Sequence, residues 1–145
     1  MAKWNEKYFV TELKKNIVVA PWDPVFTEKE ASRLLSLDSD VREGAFYMEM
    51  AWFWPGQWPE TKSDKDNVKP HSHEFDESIA FVGTDPEDIH DLGGEVELWV
   101  NGEQNMLDKS FVAFIPAGTV HGPLIIRKVN RPIFHFTCGV GKRYF

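Results

Sequence analysis

Pro70-His71-Ser72-His73-Glu74-Phe75-Asp76-Glu77, taken with Pro116-Ala117-Gly118-Thr119-Val120-His121, decides how the rest of the chain is read. In an extended strand successive side chains alternate faces, so His71, His73, Phe75 and Glu77 project to one side and Ser72, Glu74 and Asp76 to the other. Three candidate metal ligands then share a face. Imidazole nitrogen and carboxylate oxygen together suit Fe, Mn, Ni, Cu or Zn, and a site with few protein ligands leaves positions open for substrate. A β-bulge would slip the register by one residue and bring Asp76 inward, so Glu77 and Asp76 both stand as the carboxylate donor. Glu74 reads as solvated.

Working outward, Ile79 and Phe81 continue the face of Glu77 and read as interior beside the metal. Upstream, Gly44 to Trp54 is rich in β-formers and alternates. One face carries Phe46, Met48, Met50, Trp52 and Trp54, the other Tyr47, Glu49, Ala51 and Phe53. Either parity can line an interior, which makes Tyr47 and Glu49 candidate pocket groups. Residues from Pro59 to Asn67 read as a polar connection, with Asp64, Lys65, Asp66 and Asn67 in solvent. Further back, Thr27-Glu28-Lys29-Glu30 has the form of a capping box, followed by Ala31, Leu34, Leu35 and Leu37 at helical spacing. This predicts a short amphipathic helix over about residues 28–37. Ile17-Val18-Val19 reads as an edge strand.

Downstream, Gly83 to Gly94 interrupts the strand pattern as an acidic loop, either a plain surface insertion or a lid hinged on its glycines. Val96, Leu98 and Val100 alternate with Glu95, Glu97 and Trp99, and Asn101-Gly102 is a strong two-residue hairpin signal. Phe111 to Ile115 forms an apolar strand that delivers the second motif. Leu124 to Lys128 and Ile133 to Thr137 read as the last two strands. His135 shares parity with Ile133 and Thr137, so it is either an acid/base group in a cavity or a packed imidazole with a satisfied hydrogen bond. Arg127 is either a bidentate partner for a substrate carboxylate or a rim charge. Cys138 reads as a small buried hydrophobe, not a nucleophile.

The spacing His71-x-His73-(three residues)-Glu77, followed by Pro116-x-Gly118-(two residues)-His121, resembles the two signature motifs of the cupin superfamily. The resemblance covers roughly Ala45 to Thr137. Lys65, Ser110 and Ile125 stand where the motifs usually have Gly, Gly and Asn, and Gly83 comes one residue early; these departures concern turns and packing. The resemblance implies an all-β, double-stranded β-helix (jelly-roll) barrel over residues 45–145, with residues 1–44 as an N-terminal arm and short helix packed on it. Carried over position by position, it implies His71, His73, Glu77 and His121 as ligands to a divalent transition metal, with Fe(II) favoured over Mn, Zn or Ni. It also implies association as a homodimer, for which Trp4, Tyr8, Phe9 and Trp22 of the arm would supply apolar surface.

Composition agrees with one domain able to bury its own core, since 145 residues with 42% hydrophobic and 27% charged positions are ordinary for a globular chain. With 16 basic against 23 acidic residues, a net charge of −7 and no basic stripe argue against nucleic acid and anionic membrane surfaces as partners. A single cysteine precludes an intrachain disulfide, and the N-terminus lacks a secretory apolar run, so a cytoplasmic location is expected. The functional expectation is a metal-dependent enzyme acting on a small organic molecule, foremost a dioxygenase-type oxidoreductase. An oxygen-independent isomerase, decarboxylase or lyase is the alternative, and a non-catalytic small-molecule-binding module the third reading.

Overall fold

Alternating β-formers settle into eight strands in the computed structural model, which describes residues 3–56, 58 and 67–145: β1 (Ala31–Leu37), β2 (Tyr47–Phe53), β3 (Glu77–Val82), β4 (Asp91–Val100), β5 (Glu103–Lys109), β6 (Phe111–Ile115), β7 (His121–Val129) and β8 (Ile133–Gly139). They form a five-stranded sheet in the order β1-β2-β8-β3-β6 and a three-stranded sheet in the order β5-β4-β7. All pairings are antiparallel. Between them lies a core of Phe53, Ile79, Phe81, Leu92, Val96, Ile115, Ile126, Val129 and Ile133. Full burial of one such side chain stabilises the fold by about 1.5–3 kcal/mol. The period-2 pattern therefore has a direct energetic cause.

The hairpin expected at Asn101-Gly102 joins β4 to β5, with φ of 50° and 78° at the two turn residues. Positive φ at both positions matches a twist-compatible two-residue turn, and these two residue types tolerate it best. The parity of β2 is also resolved, because Tyr47, Glu49, Ala51 and Phe53 line the interior.

Four expectations are corrected. There is no helix among the described residues, and the stretch predicted as one carries β1 instead. Only half of the capping box forms: the Thr27 amide donates to Oε1 of Glu30 at 3.0 Å, but the Thr27 hydroxyl also goes to that carboxylate, and the Glu30 amide donates instead to the Thr27 backbone carbonyl at 2.9 Å, so the contacts make a turn. They make only one turn before Ala31 begins to pair with β2, because a full ladder with a neighbouring strand outweighs a local helical preference. The five-stranded sheet therefore reaches back into the segment assigned to the arm.

Ile17-Val18-Val19 makes no strand; the segment runs past the mouth of the interior, where Val19 forms part of the wall. The loop expected to extend to Gly94 ends at His90, since β4 starts at Asp91 and Leu92 is core. Ser110 holds this loop: its amide donates to the His90 carbonyl at 2.8 Å, and its hydroxyl accepts from the Gly83 amide at 2.9 Å and donates to the Ile89 carbonyl at 2.8 Å. None of residues 83–91 lines the cavity described below, so the loop is not placed as its lid. Asn67 is buried, not solvated, while Asp64, Lys65 and Asp66 lie outside the described residues.

Candidate metal centre

The two motifs are brought together by backbone pairing. His71 and His121 exchange amide-to-carbonyl hydrogen bonds of 2.9 Å in both directions, and Val68 and Leu124 do the same at 3.1 Å. The chain can come this close because Gly122 has no side chain: at φ +104° a Cβ there would sit 2.9 Å from the Lys69 carbonyl oxygen. The Gly118 amide donates to the His73 carbonyl at 2.8 Å and closes the second contact between the motifs.

The first motif is not one continuous strand, as its alternation had suggested. Residues 71–76 contain a single bridge and a bend before β3 starts at Glu77. The cross-links to the second motif impose this path. Even so, His71, His73 and Glu77 converge with His121, and Asp76 turns away, its Oδ1 accepting from the Ala117 amide at 2.8 Å.

The donor atoms of His71, His73 and His121 lie within 4.8 Å of one another. Oε1 of Glu77 is 3.1 Å from Nε2 of His121, and Oε2 is 3.5 Å from Nε2 of His73. Nδ1–H of His71 donates to the Lys69 carbonyl at 2.7 Å, and Nδ1–H of His121 to the Thr119 carbonyl at 3.0 Å. Those bonds engage Nδ1 and leave Nε2 of each ring facing inward. Nε2 of all three histidines and Oε2 of Glu77 are buried and have no hydrogen-bond partner among the described residues.

Buried polar atoms without partners cost stability, and three clustered imidazole nitrogens with a carboxylate beside two of them form a set that a cation would satisfy. Three imidazole nitrogens and one carboxylate oxygen suit a divalent transition metal. The residues present therefore fit such an ion, although they do not select one element.

Aromatic neighbours hold the rings in place. Trp22 stacks on His71 with centroids 4.5 Å apart, and Phe75 stacks on His73 at 4.8 Å. Burial pushes His71 down to about 4, opposed by its bond to the Lys69 carbonyl, and burial also lowers His73. Both are thus kept neutral and ready to ligate at neutral pH. Burial pulls His121 down as well, but the Glu77 carboxylate and the Thr119 carbonyl outweigh it and raise its pKa.

Beside this cluster lies a cavity of about 290 Å³ whose exposed wall is mostly apolar. Of the other predicted groups, Tyr47, Glu49 and His135 line it. The Tyr47 hydroxyl is hydrogen-bonded to the Thr137 hydroxyl, and burial raises its pKa well above the usual value. Glu49 is ion-paired with Arg33. His135 shares a 2.9 Å hydrogen bond between Nδ1 and the Ala80 carbonyl and stacks on Phe81 at 4.1 Å; burial pushes its pKa to about 4. It is the packed, hydrogen-bonded imidazole of the two readings, with an edge on the cavity. Arg127 is not in the wall. Its Nη2 donates to Oε1 of the buried Glu97 at 2.9 Å, and that carboxylate, already bonded to the Trp99 indole, occupies the guanidinium which a substrate was expected to meet.

Three wall residues escaped the sequence reading. Arg33 was hidden by the misassigned helix, although the alternation of Ala31 and Arg33 is visible once β1 is taken as a strand. Asp23 and Tyr144 carry no motif. The Tyr144 hydroxyl donates to Oδ1 of Asp23 at 3.1 Å and accepts from the Trp22 indole at 2.6 Å. Burial raises Asp23 to about 6, against the lowering effect of that bond and of Arg33, and the Glu77 charge adds to the rise. Trp22, expected on an exposed arm surface, instead packs within the site against His71, His73 and Tyr144.

An antiparallel two-sheet barrel with a histidine-carboxylate cluster between its motifs is the cupin architecture, and this chain has the cupin fold. No protein-family model matches the chain, and no curated protein matches it in sequence. Among solved structures it is similar to a recombinant oxalate oxidase in complex with glycolate, at 15% identity and a TM-score of 0.51, over 97% of this chain and 62% of that one. It is also similar to an RmlC-like cupin from Shewanella frigidimarina, at 16% identity, a TM-score of 0.47 and 79% of each chain. A third is KdgF from a Halomonas species, at 16% identity, a TM-score of 0.42, and 74% of this chain and 76% of that one. At such identities the likeness concerns the fold alone.

Proposed function

We propose that this protein is a metal-dependent enzyme acting on a small organic molecule, with His71, His73, Glu77 and His121 as the metal ligands. The observation that carries the reading is the cluster of three buried imidazole nitrogens within 4.8 Å of one another, with the Glu77 carboxylate beside two of them, at the edge of a cavity. A divalent cation held there would act as a Lewis acid on a substrate oxygen or, as Fe(II), would support oxygen chemistry. The chain's own groups do the remaining work. Phe53, Ile79, Leu98 and Ile126 keep the wall dry, which strengthens every charge inside. Tyr47, through its bond to Thr137, and Arg33, through its pairing with Glu49, are held in fixed positions from which to orient a polar substrate.

The favoured version is an Fe(II)-dependent dioxygenase-type oxidoreductase, supported by a nitrogen-rich donor set and a cavity sized for one small chelating molecule. One observation favours the oxygen-independent alternative, an isomerase, decarboxylase or lyase. Asp23, with its pKa near 6, can both hold and release a proton at Oδ2 near neutral pH, as general acid–base chemistry requires. The deciding experiment is loading with Fe(II), Mn(II), Zn(II) or Ni(II) in turn, followed by substrate screening with an oxygen electrode. Oxygen uptake coupled to turnover with Fe(II) supports the first version. Equal turnover under strict anaerobiosis assigns the second, and absence of stoichiometric metal uptake refutes both.

A further inference from the structure

Among the described residues, the wall of the cavity beside the histidines holds a single lysine or arginine, Arg33. An irregularity in β1 sets its place. Arg33 pairs with Ala51, but the next partners along the ladder are Leu35 and Met50, so Leu34 is left over as a β-bulge. A bulge reverses the parity of the residues that follow and re-aims the side chains beside it. Arg33 thus joins Ala31 on the cavity side, while Leu35 falls opposite outward-facing Met50. Glu49 meets Nη1 of the guanidinium. Nε and Nη2 have no protein hydrogen bond among the described residues, and neither is sealed from solvent. Arg127 differs, because it gives both of these atoms to Glu97.

The surroundings of Arg33 are two-sided. Asp23, Arg33, Tyr47, Glu49 and Tyr144 also line a second cavity of about 240 Å³, whose other walls include Lys14, Val18 and Arg143. These five polar residues form the boundary between the two spaces. From the smaller sheet, Leu98, Leu124 and Ile126 face them across the first cavity with apolar surface.

We propose that Arg33 selects the substrate: a small monocarboxylate with an apolar body, whose carboxylate takes the Nε/Nη2 edge of the guanidinium while the body fills the apolar side. This rests on the small-molecule site proposed above and names the class of molecule it takes. A planar edge with two donors matches a carboxylate in bidentate geometry. Its position at the boundary keeps the ion pair partly hydrated, which avoids most of the desolvation that a fully enclosed pair suffers. A dianion is disfavoured, because Asp23, Glu28 and Glu49 stand in the same wall against one guanidinium. Glu49 holds the guanidinium in the empty site and stays beside it when a carboxylate arrives, so it weakens the grip on every anion and leaves the apolar body to decide which one is retained.

The test is isothermal titration of the full chain, Zn(II)-loaded and metal-free, with acetate, hexanoate and benzoate against acetamide, hexanamide and benzamide. Hexanoate or benzoate is expected to bind about 10-fold or more tightly than its amide, as a charge-assisted hydrogen-bonded pair gives. Arg33→Gln/Glu49→Gln removes both charges without leaving an unpaired carboxylate; it is expected to abolish the preference and to leave amide affinity within about twofold. Arg33→Lys keeps the charge without the fork and should restore only part of the preference. Glu49→Gln alone should tighten the carboxylates several-fold. Should these variants fail to fold, the Nε–H resonance of Arg33 in the wild type supplies the second readout, shifting with hexanoate or benzoate and not with the amides. Equal affinity for every acid and its amide, a preference that survives the double variant, weaker carboxylate binding by Glu49→Gln, or an unmoved resonance overturns the proposal. Stoichiometric Zn(II) uptake without the preference removes this inference and leaves the metal reading standing, whereas the preference without Zn(II) uptake does the reverse.

Discussion

Replacing Glu77 with Gln should make the metal-free protein more stable and the metal-loaded protein less so. The Glu77 side chain is 2% exposed, and its Oε2 has no hydrogen-bond partner among the described residues. Leaving such a buried group unsatisfied costs roughly 1–3 kcal/mol, and the neutral isostere removes most of the charged part of that cost. At about 2–4 °C per kcal/mol for a domain near this size, the metal-free variant should melt several degrees above the wild type. In metal at 100 times the wild-type Kd, the wild type gains about 2.7 kcal/mol. Loss of the carboxylate ligand should weaken binding at least as much as the roughly 10- to 100-fold seen when a ligand's supporting partner is removed. The same metal concentration then adds only about 0.4–1.4 kcal/mol to the variant.

The pH dependence carries a sign. Glu77 helps raise His121 above its usual pKa, so their pair stabilises the fold below the unfolded-state value and that stability is lost as pH rises through the raised value. The advantage of metal-free Glu77→Gln should therefore be small at pH 6 and largest at pH 9. Scanning calorimetry at both pH values, with and without metal, reads all four quantities. A metal-free variant destabilised by more than about 2 kcal/mol at pH 9, or one with undiminished metal gain, would show that Glu77 is a structural group and not a ligand.

Trp22→Ala should weaken metal binding by about 10- to 100-fold, as for loss of a group that orients a ligand, whereas Trp22→Phe, which retains the stacking on His71, should recover most of it; isothermal titration separates them. Burial raises Asp23 to about 6, so its stabilising contribution is complete below about pH 4 and is lost as pH rises through 6; Asp23→Asn should raise the urea midpoint at pH 8 and leave it unchanged at pH 4, while lowering turnover. His135 is pushed down to about 4 by burial, so the stability that it contributes above pH 6.5 falls away as pH drops through 4. His135→Gln should lose roughly 2–3 kcal/mol less than the wild type between pH 7 and pH 4, measured by urea unfolding at each pH.

Period-2 alternation disclosed β2, β3, β4 and β6, because each buries one face and the burial energy is written residue by residue. Asn101-Gly102 disclosed the hairpin through backbone conformation alone. That His71, His73, Glu77 and His121 lie near one another was readable because the motif spacing survives the bend at residues 74–75, which simple alternation does not encode. What failed depended on partners distant in sequence. Thr27 to Leu37 satisfies a helical pattern locally, and only pairing with β2 reveals a strand. Arg127 looks available until Glu97, thirty positions away, is seen to hold it. Asp23 and Tyr144 meet across a separation of 121 residues, which no local pattern encodes.

The four side chains proposed to hold a metal do not come from one layer. Glu77 opens a strand of the larger sheet, His121 opens one of the smaller sheet, and His71 and His73 belong to the segment that crosses between them. An ion held by all four would rivet the two sheets together at one end of the barrel. Stripped of it, the barrel should gape first at this rim, with amides near Glu77 and His121 exchanging faster and those of the opposite end, around Leu92 and Val129, keeping their protection.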